Sequence, residues 1–396
     1  MWRTAAGSTG RLLQLCVAYF GLYVLNGIFA KVFTGGFPLH MPEVAYLFNN
    51  TLGGSGIALA VVFALGWIKL KSNRRVKWGP FMVPSEVRYI IPSGVCTAIV
   101  IPTTTLMYTL PISVMVAMVI MRGSIIVISR LVDAVQIQQG ILKKRVYAEE
   151  NWAVVFALLA VATNVLLLPL VTFLEGHGMH ATQWVGLKPG AGRGSFDFLH
   201  SPQAMTIMGF YVTAYMIRIY IMNYFKNTRA QGIPLDNQGF FAIEQIAASL
   251  TMAAIVAFLY YGSPALNWTS KPITEFRGAV THPSTAAILS GLPYGVLAFF
   301  SVFIFMFKGR TATFAGLVNR LTSLLAGTTA TLLMFFIFGA KFPTMQDWAS
   351  VFFILVAVYF LARAEKLRIS ELAKEGVVER RKRNRGGERA GSDVLT

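Results

Sequence analysis

The sequence predicts an all-α polytopic membrane protein in which ten transmembrane helices form two inverted five-helix repeats. Three observations predict this fold class. Of the 396 residues, 55% are hydrophobic and 13% are charged, whereas soluble proteins devote about a quarter of their residues to charged side chains. Apolar runs of about twenty residues, long enough to cross a bilayer, recur along the chain. The same polar landmarks also occur in the same order in both halves.

The first half of the chain, residues 1–174, holds five of these apolar runs. The N-terminal run exceeds the length of a signal-peptide core, so we predict that it is a retained first helix. The five runs lie near residues 12–30, 44–68, 89–109, 111–135 and 151–173. We predict that together they form the first repeat.

A glycine-rich stretch, residues 175–203, separates the two halves and is predicted to be an extracytoplasmic linker. The second half, residues 204–362, is predicted to form the second repeat, and residues 363–396 form a basic cytoplasmic tail. The five apolar runs of the second half lie near residues 204–225, 238–261, 284–307, 311–338 and 346–362. An odd number of spans in each half inserts the second half upside down relative to the first, as in many secondary transporters.

The distribution of Lys and Arg predicts the orientation in the membrane. Of the 35 Lys and Arg residues, 25 fall in segments that are cytoplasmic if the N-terminus is, and six fall in the opposite segments. Because cytoplasmic loops carry an excess of these residues, both termini are predicted to be cytoplasmic. The same bias explains the formal net charge of +18 without nucleic-acid binding. The membrane would be the inner membrane of a bacterium, or the Golgi or endoplasmic reticulum membrane of a eukaryote.

The internal repeat is predicted from three landmarks that each half carries in order: a Ser-Gly pair, an arginine within a span, and a tryptophan at the start of the last span. They are Gly94, Arg122 and Trp152 in the first half and Gly291, Arg320 and Trp348 in the second. The Gly to Arg separations are 28 and 29 residues, and the Arg to Trp separations are 30 and 28. Three matches in nearly the same register favour an internal duplication.

Apart from Asp347 at the mouth of the tenth span, six ionisable residues lie within predicted spans. They are candidate functional residues, because a charge at the bilayer centre costs about 2.5–3.5 kcal/mol on insertion scales. They are Arg122, Arg130, Asp133, Arg218, Glu244 and Arg320. Arg130 and Asp133 are spaced i, i+3, so they are expected to pair with each other or to reach the interface. Glu244, followed by Gln245, is expected either to pair with Arg122 or Arg320, or to be a carboxylate that couples transport to protons.

Two stripes of aromatic and polar residues lie at helical spacing. Tyr211, Tyr215 and Arg218 share one face of the sixth span, and Tyr19, Tyr23 and Asn26 share one face of the first. Such stripes often serve interhelical packing. Alternatively, the tyrosines stack on a planar ring while the arginine binds phosphate or carboxylate. In the second span, Asn50 lies beside closely spaced glycines that would let a polar ligand approach.

Two motifs resemble the drug/metabolite transporter superfamily, most closely its nucleotide-sugar and organic-phosphate branch. The stretch Met121-Arg122-Gly123-Ser124-Ile125-Ile126 resembles the fourth-span signature of that branch. The stretch Gly316-Leu317-Val318-Asn319-Arg320 is similar to the Gly-Ala-Leu-Asn-Lys motif of GDP-mannose transporters. The resemblance covers all ten predicted spans. In the seventh span, Ala242-Ile243-Glu244-Gln245 stands where GDP-mannose carriers have Phe-Tyr-Asn-Asn, so an acid replaces a neutral amide.

The resemblance implies alternating-access exchange of a nucleotide sugar for a nucleoside monophosphate through a central cavity. It implies that Asn319 and Arg320 bind the nucleotide and that Arg122 is the matching basic residue of the first half. The predicted function is secondary transport of an anionic metabolite, such as a nucleotide sugar or sugar phosphate. The alternatives are a proton-coupled exporter of amines or drugs, with Glu244 or Asp133 carrying the proton, and a membrane scaffold without transport.

No arrangement of residues predicts an enzyme, a metal site or a cofactor. The three histidines of the linker, His177, His180 and His200, lack the further spaced ligands that a metal site needs. The expected partners are the small anionic substrate and membrane lipids, with no nucleic acid. A homodimer is left open.

Overall fold

The computed structural model describes residues 8–34, 40–109, 114–143, 146–178, 201–339 and 345–392. Within these ranges, side chains are described except at 104–109, 114–120, 164–169, 172, 203, 345–347 and 372–392. Most of the predicted linker, 179–200, lies outside the described residues.

The described chain consists of helices and one hairpin. In the first half the elements are α1 (Thr9–Thr34), α2 (Glu43–Ala64), β1 (Arg75–Trp78), β2 (Phe81–Pro84), α3 (Val87–Thr109), α4 (Val114–Gln138) and α5 (Ala148–Gly176). In the second half they are α6 (Pro202–Asn227), α7 (Asn237–Ala265), α8 (Lys271–Thr281), α9 (Thr285–Ser290), α10 (Leu292–Phe305), α11 (Ala312–Phe338) and α12 (Met345–Ser392). This arrangement fits the predicted all-α polytopic class.

Among the described residues, seven helical stretches are long and apolar enough to cross a membrane. They lie in α1, α2, α6, α7, α9 with α10, α11, and the first half of α12. The chain is therefore an integral membrane protein with several spans. The three remaining predicted spans coincide with α3, α4 and α5, each of which includes positions whose side chains are outside the description.

The helices pack as neighbours in one bundle. α3 lies between α6 and α7, α5 packs along α12, and α1 packs against α10 and α11. α2 packs against α9 and α10, and α4 contacts α5, α6 and α11. Residues from α1, α4, α6, α7 and α11 come together inside the bundle, and this arrangement positions the candidate site.

Two helix contacts are so close that only glycine fits. A Cβ atom at Gly94 in α3 would lie 2.6 Å from the carbonyl oxygen of Glu244 and 3.0 Å from the backbone nitrogen of Ala248 in α7. A Cβ at Gly291, between α9 and α10, would overlap the carbonyl oxygen of Asn50 in α2 and lie 2.9 Å from the nitrogen of Gly54. Both glycines therefore let two backbones touch without a side chain between them.

The structure differs from the sequence predictions in three places. The eighth predicted span, 284–307, is long and apolar enough to cross the membrane, but its helix is interrupted at Gly291, between α9 and α10, where the backbone contacts α2. The loop after α2 contains the β1–β2 hairpin, and the loop after α7 contains α8, neither of which was predicted. Both lie in polar loops, where the pattern of about twenty apolar residues used to find spans carries no signal.

One end of the bundle collects most of the basic loop residues, and we call it the basic end. It comprises the start of α1, the loops on either side of the hairpin, the loop between α6 and α7, and the start of α11. Polar contacts join these segments. Thr9 donates to Glu365 at 2.5 Å, Arg229 pairs with Glu86 at 2.8 Å, and the backbone nitrogen of Lys71 donates to Asp236 at 2.9 Å.

Candidate functional site

A buried cluster of arginines and tyrosines lies where α1, α4, α6, α7 and α11 meet, and we call it the arginine–tyrosine cluster. Its members are Tyr19, Arg122, Tyr215, Arg218, Glu244 and Arg320. Tyr19, Arg218, Glu244 and Arg320 each expose 9% or less of their surface. Because charged side chains are costly to bury in a membrane protein, such a cluster is a candidate binding site.

Arg320 occupies the α11 side of the cluster. Its Nη2 donates to the Tyr215 hydroxyl at 3.0 Å, and its Cζ lies 5.3 Å from the centroid of the same ring. The Nε atom of Arg320 is buried and has no hydrogen-bond partner among the described residues. A buried N–H without an acceptor costs free energy, so this guanidinium has unused capacity to bind an anion.

Tyrosine rings surround the guanidinium of Arg320. Tyr211 and Tyr215 have ring centroids 4.9 Å apart on α6, and Tyr19 and Tyr23 have centroids 5.6 Å apart on α1. Tyr19 and Tyr211 both lie within electrostatic range of Arg320. The two predicted stripes therefore meet across the bundle, beside a cation.

Arg218 and Glu244 form a buried, two-pronged ion pair. The Nε of Arg218 lies 2.8 Å from Oε1 of Glu244, and its Nη2 lies 3.1 Å from Oε2. Ser93 also donates to Glu244 at 2.6 Å, and Thr97 donates at 3.3 Å. The expectation that Glu244 pairs with Arg122 or Arg320 is therefore wrong, because α6, and not α4 or α11, presents the nearest guanidinium to α7.

Arg122 contributes the remaining positive charge. It lies on α4 within electrostatic range of Tyr19, as does Arg320. The hydroxyl of Tyr211 on α6 is 3.5 Å from the carbonyl oxygen of Met121, which is the residue before Arg122. Three guanidinium groups and one carboxylate therefore give the cluster a formal charge of +2.

Three other predicted site residues make their hydrogen bonds outside this cluster: Asn50, Asn319 and Gln245. Asn50 contacts Tyr46 at 3.1 Å and Ser290 at 3.4 Å in the packing of α2 against α9. Asn319 turns toward α10 and donates to Ser301 at 3.0 Å, although its Oδ1 is buried and unpartnered among the described residues. The buried Oδ1 of Asn26 is likewise without a described partner. Gln245 donates to Ser249 on its own helix at 3.4 Å.

Asp133 holds the start of α11 at the basic end. Its two carboxylate oxygens accept hydrogen bonds from the backbone nitrogens of Ala312 and Thr313, at 2.8 and 2.6 Å. Thr311 caps the nitrogen of Phe314 at 3.0 Å. Three of the four free N–H groups of this helix end are thus satisfied, and the carboxylate complements the helix dipole. The expected pairing of Asp133 with Arg130 is wrong, since Arg130 donates to Asn151 instead.

We expect the Asp133→Ala substitution to lower the free energy of unfolding by about 2–4 kcal/mol, because two buried N–H groups lose their acceptors. Denaturant unfolding of the purified protein in detergent measures this loss. Asp236→Ala is the matched control, because Asp236 also accepts two backbone N–H bonds, from Gly239 and Lys71, but is partly exposed. Water can replace that acceptor, so the control should lose about 1 kcal/mol or less. Equal losses of unfolding free energy in the two variants would show that burial of Asp133 does not increase its contribution to stability.

Two contributors to the site were missed as candidate residues. Tyr294 lies at the start of α10 within electrostatic range of Tyr215 and Arg218, and Ser93 donates to Glu244. The landmarks of the internal repeat contained a sequence signal for both residues. Ser93 precedes the landmark Gly94, and Tyr294 follows the landmark Gly291 by three residues, as Thr97 follows Gly94.

Comparison with known proteins supports the fold only. No family model and no curated protein matches the sequence. Eleven chains of solved structures match. One of them, described as the crystal structure of a protein, is 13% identical, with a TM-score of 0.51 over 89% of this chain and 98% of the other. The chain is therefore similar in fold, over most of its length, to a protein of solved structure.

Proposed function

We propose that this protein is a secondary active transporter that exchanges anionic metabolites, such as nucleotide sugars or sugar phosphates, by alternating access. The observation that carries the proposal is the guanidinium of Arg320, which is buried among tyrosine rings with its Nε unpartnered among the described residues. Guanidinium groups bind phosphate oxygens with two parallel hydrogen bonds. Tyrosine rings offer faces on which a planar base can stack.

The charge of the cluster favours a particular class of ligand. The ion pair of Arg218 with Glu244 is neutral as a unit, so Arg122 and Arg320 leave a formal charge of +2. A phosphate monoester carries about −1.5 to −2 charges at neutral pH, and the diphosphate bridge of a nucleotide sugar carries two acidic groups. Both the nucleotide sugar and the nucleoside monophosphate would therefore match the charge of the site, which favours their exchange for one another.

The formal charge of +2 also explains why the protein would exchange one anion for another instead of carrying a single anion across the membrane. An empty site with two uncompensated cations is costly to enclose away from water. A bound anion of charge near −2 removes that cost and allows the closed intermediate to form. The protein should then change its orientation readily only when loaded, as an antiporter must.

Two sets of contacts support the proposed inverted repeats of five helices each, residues 1–174 and 204–362, and therefore the ten spans. Gly94 meets the oxygen of residue 244 and the nitrogen four residues later, and Gly291 meets the oxygen of residue 50 and the nitrogen four residues later. The neighbouring serines repeat the pattern, since Ser93 contacts the side chain of Glu244 and Ser290 contacts that of Asn50. The contact of α3 with α7 thus has a counterpart in the contact of α9 with α2. A two-fold relation between the halves accounts for both.

The excess of Lys and Arg at the basic end supports an orientation with both termini in the cytoplasm. The membrane would be the inner membrane of a bacterium, or the Golgi or endoplasmic reticulum membrane of a eukaryote. The two-pronged contact of Glu244 with Arg218 favours the anion transporter over the proton-coupled exporter, because both carboxylate oxygens of Glu244 already bind a guanidinium group.

The proposal is tested by thermal unfolding of the purified protein in detergent with pairs of ligands that differ only in phosphate. We expect nucleoside monophosphates and nucleotide sugars to stabilise the folded state, by about 2.7 kcal/mol at a hundred times their Kd. The matched nucleosides, which lack the phosphate, should have no effect. Stabilisation by amines, or by nucleosides and their monophosphates equally, would contradict anion recognition. Ligands that stabilise should then drive counterflow of labelled substrate in proteoliposomes.

A further inference from the structure

The β1–β2 hairpin presents an exposed apolar face. The cross-strand pairs are Arg75 with Pro84, Val76 with Val83, Lys77 with Met82, and Trp78 with Phe81. Opposed residues share a face of the hairpin, and successive residues alternate between faces. One face therefore carries the two valines, the tryptophan and the phenylalanine. The other carries the two basic side chains together with Met82 and Pro84. Trp78 is 52% exposed and Phe81 is 70% exposed.

The hairpin is held rigidly to the bundle at its base. The nitrogen of Ser85 donates to the carbonyl oxygen of Arg74 at 2.9 Å and extends the ladder. Glu86, which is 1% exposed, accepts from Ser72 and Asn73 and pairs with Arg229 of the loop between α6 and α7. Burial by itself would raise the pKa of Glu86, but these hydrogen bonds outweigh burial and lower it, so the carboxylate is ionised. The aromatic face is therefore fixed at the basic end.

A membrane leaflet offers this face both an apolar interior and anionic headgroups. The hairpin joins α2, which is long and apolar enough to span the membrane, to α3, so its ends lie near the bilayer. Residues 65–85 contain five Lys or Arg and no Asp or Glu. Tryptophan and phenylalanine favour the interface between lipid chains and headgroups, and clustered basic residues attract anionic headgroups. An isolated two-stranded hairpin with an uncovered apolar face is marginally stable in water.

From this combination, we propose that the β1–β2 hairpin docks on the membrane leaflet at the basic end, with Trp78 and Phe81 inserted among the lipids and Arg75 and Lys77 attracting anionic phospholipid headgroups. The docked hairpin anchors that end of the bundle. This inference depends on the membrane location of the chain and not on its transport activity.

The test compares fluorescent labels at two adjacent positions of the hairpin. Phe81→Cys and Met82→Cys, each in a background with Cys16→Ser and Cys96→Ala, place an environment-sensitive label on opposite faces. The full chain is reconstituted in lipid nanodiscs of phosphatidylcholine, with or without about a third phosphatidylserine. We expect lipid-borne quenchers to quench the label at 81 at least about twofold more strongly than the label at 82, and aqueous iodide to show the reverse order.

The anionic headgroups are tested by charge reversal on the opposite face. Arg75→Glu together with Lys77→Glu should reduce quenching of the label at 81 by lipid-borne quenchers in nanodiscs that contain phosphatidylserine. Equal access of iodide to both labels, or quenching that does not depend on phosphatidylserine, would overturn the proposal. Shielding of the label at 81 only after a soluble protein is added would also overturn it, because the face would then serve a protein partner.

Discussion

Replacing Arg320 with alanine should abolish most ligand binding while leaving the protein folded. The Nε of Arg320 is buried and unpartnered among the described residues, so we expect this guanidinium to contact the ligand phosphate directly. Truncating one partner of a buried charged contact costs about 2–4 kcal/mol, a factor of about 30 to 700 in Kd. Titration calorimetry with a nucleotide ligand that stabilises the wild-type protein measures this change.

The stability of the unliganded protein distinguishes loss of binding from loss of folding. Arg320 has no acidic partner among the described residues, and its burial is costly. The Arg320→Ala variant should therefore unfold at the same Tm as the wild-type protein or a higher one, a pattern typical of binding residues. Arg320→Lys keeps the charge but loses the planar fork, so its Kd should lie between those of wild type and Arg320→Ala.

A matched control is available on α12. Arg363 is exposed, so Arg363→Ala removes the same charge without entering the cluster. This variant should bind ligand with unchanged affinity. If Arg320→Ala and Arg363→Ala bind equally well, then Arg320 is not part of the binding site and the proposed function loses its main support.

Removing Glu244 alone should be the most destabilising substitution of the site. In the Glu244→Leu variant, Arg218 keeps a buried charge without its counter-ion, which typically costs about 3–5 kcal/mol. Ser93 and Thr97 also lose the carboxylate that accepts their hydrogen bonds. Unfolding by denaturant in detergent measures the loss.

The double variant Arg218→Met with Glu244→Leu distinguishes removal of the whole ion pair from removal of one partner. Because both charges are removed together, most of the lost stability should return, and a double-mutant cycle gives the coupling energy. The cluster keeps its formal charge of +2, so binding of a dianionic ligand should survive better than in Arg320→Ala. A double variant as unstable as Glu244→Leu would show that the pair is not the stabilising unit.

The conservative variant Glu244→Gln distinguishes anion exchange from proton-coupled export. In the anion transporter, the cluster would carry a formal charge of +3, so relative affinity should shift toward more highly charged ligands such as nucleoside diphosphates. Uptake into proteoliposomes should show no new dependence on a pH gradient. In the proton-coupled exporter, the same change would abolish a pH dependence that the wild-type protein shows.

Particular elements show how far the sequence could predict the fold. Charged residues are so costly in lipid that the long apolar runs indicate membrane spans with little ambiguity, as α1, α2, α6, α7 and α11 show. The interruption of the eighth span at Gly291 was not predicted from the apolar run, although Pro293, which lacks a backbone N–H, follows two residues later. The hairpin was missed because strands of four residues in a polar loop have too short a pattern to detect.

The candidate site, like the fold, was predicted only in part. The presence of Arg122, Arg218, Glu244 and Arg320 in apolar runs identified them as costly residues that need a function or a partner. Helical spacing also placed Tyr211, Tyr215 and Arg218 on one face. Spacing along one helix does not show which helix lies opposite. The partners expected for Glu244 were therefore Arg122 or Arg320, whereas the structure pairs it with Arg218.

The sequence by itself therefore determined that this is a membrane protein with several spans and which buried charges and aromatic stripes its helices carry. These properties follow from the cost of placing polar groups in lipid and from the period of the α-helix. The tertiary structure alone decided the pairing of Glu244 with Arg218, the cap that Asp133 provides for α11, and the meeting of two tyrosine stripes at Arg320. Those choices depend on which helices are neighbours, and close packing at positions such as Gly94 and Gly291 sets the neighbours.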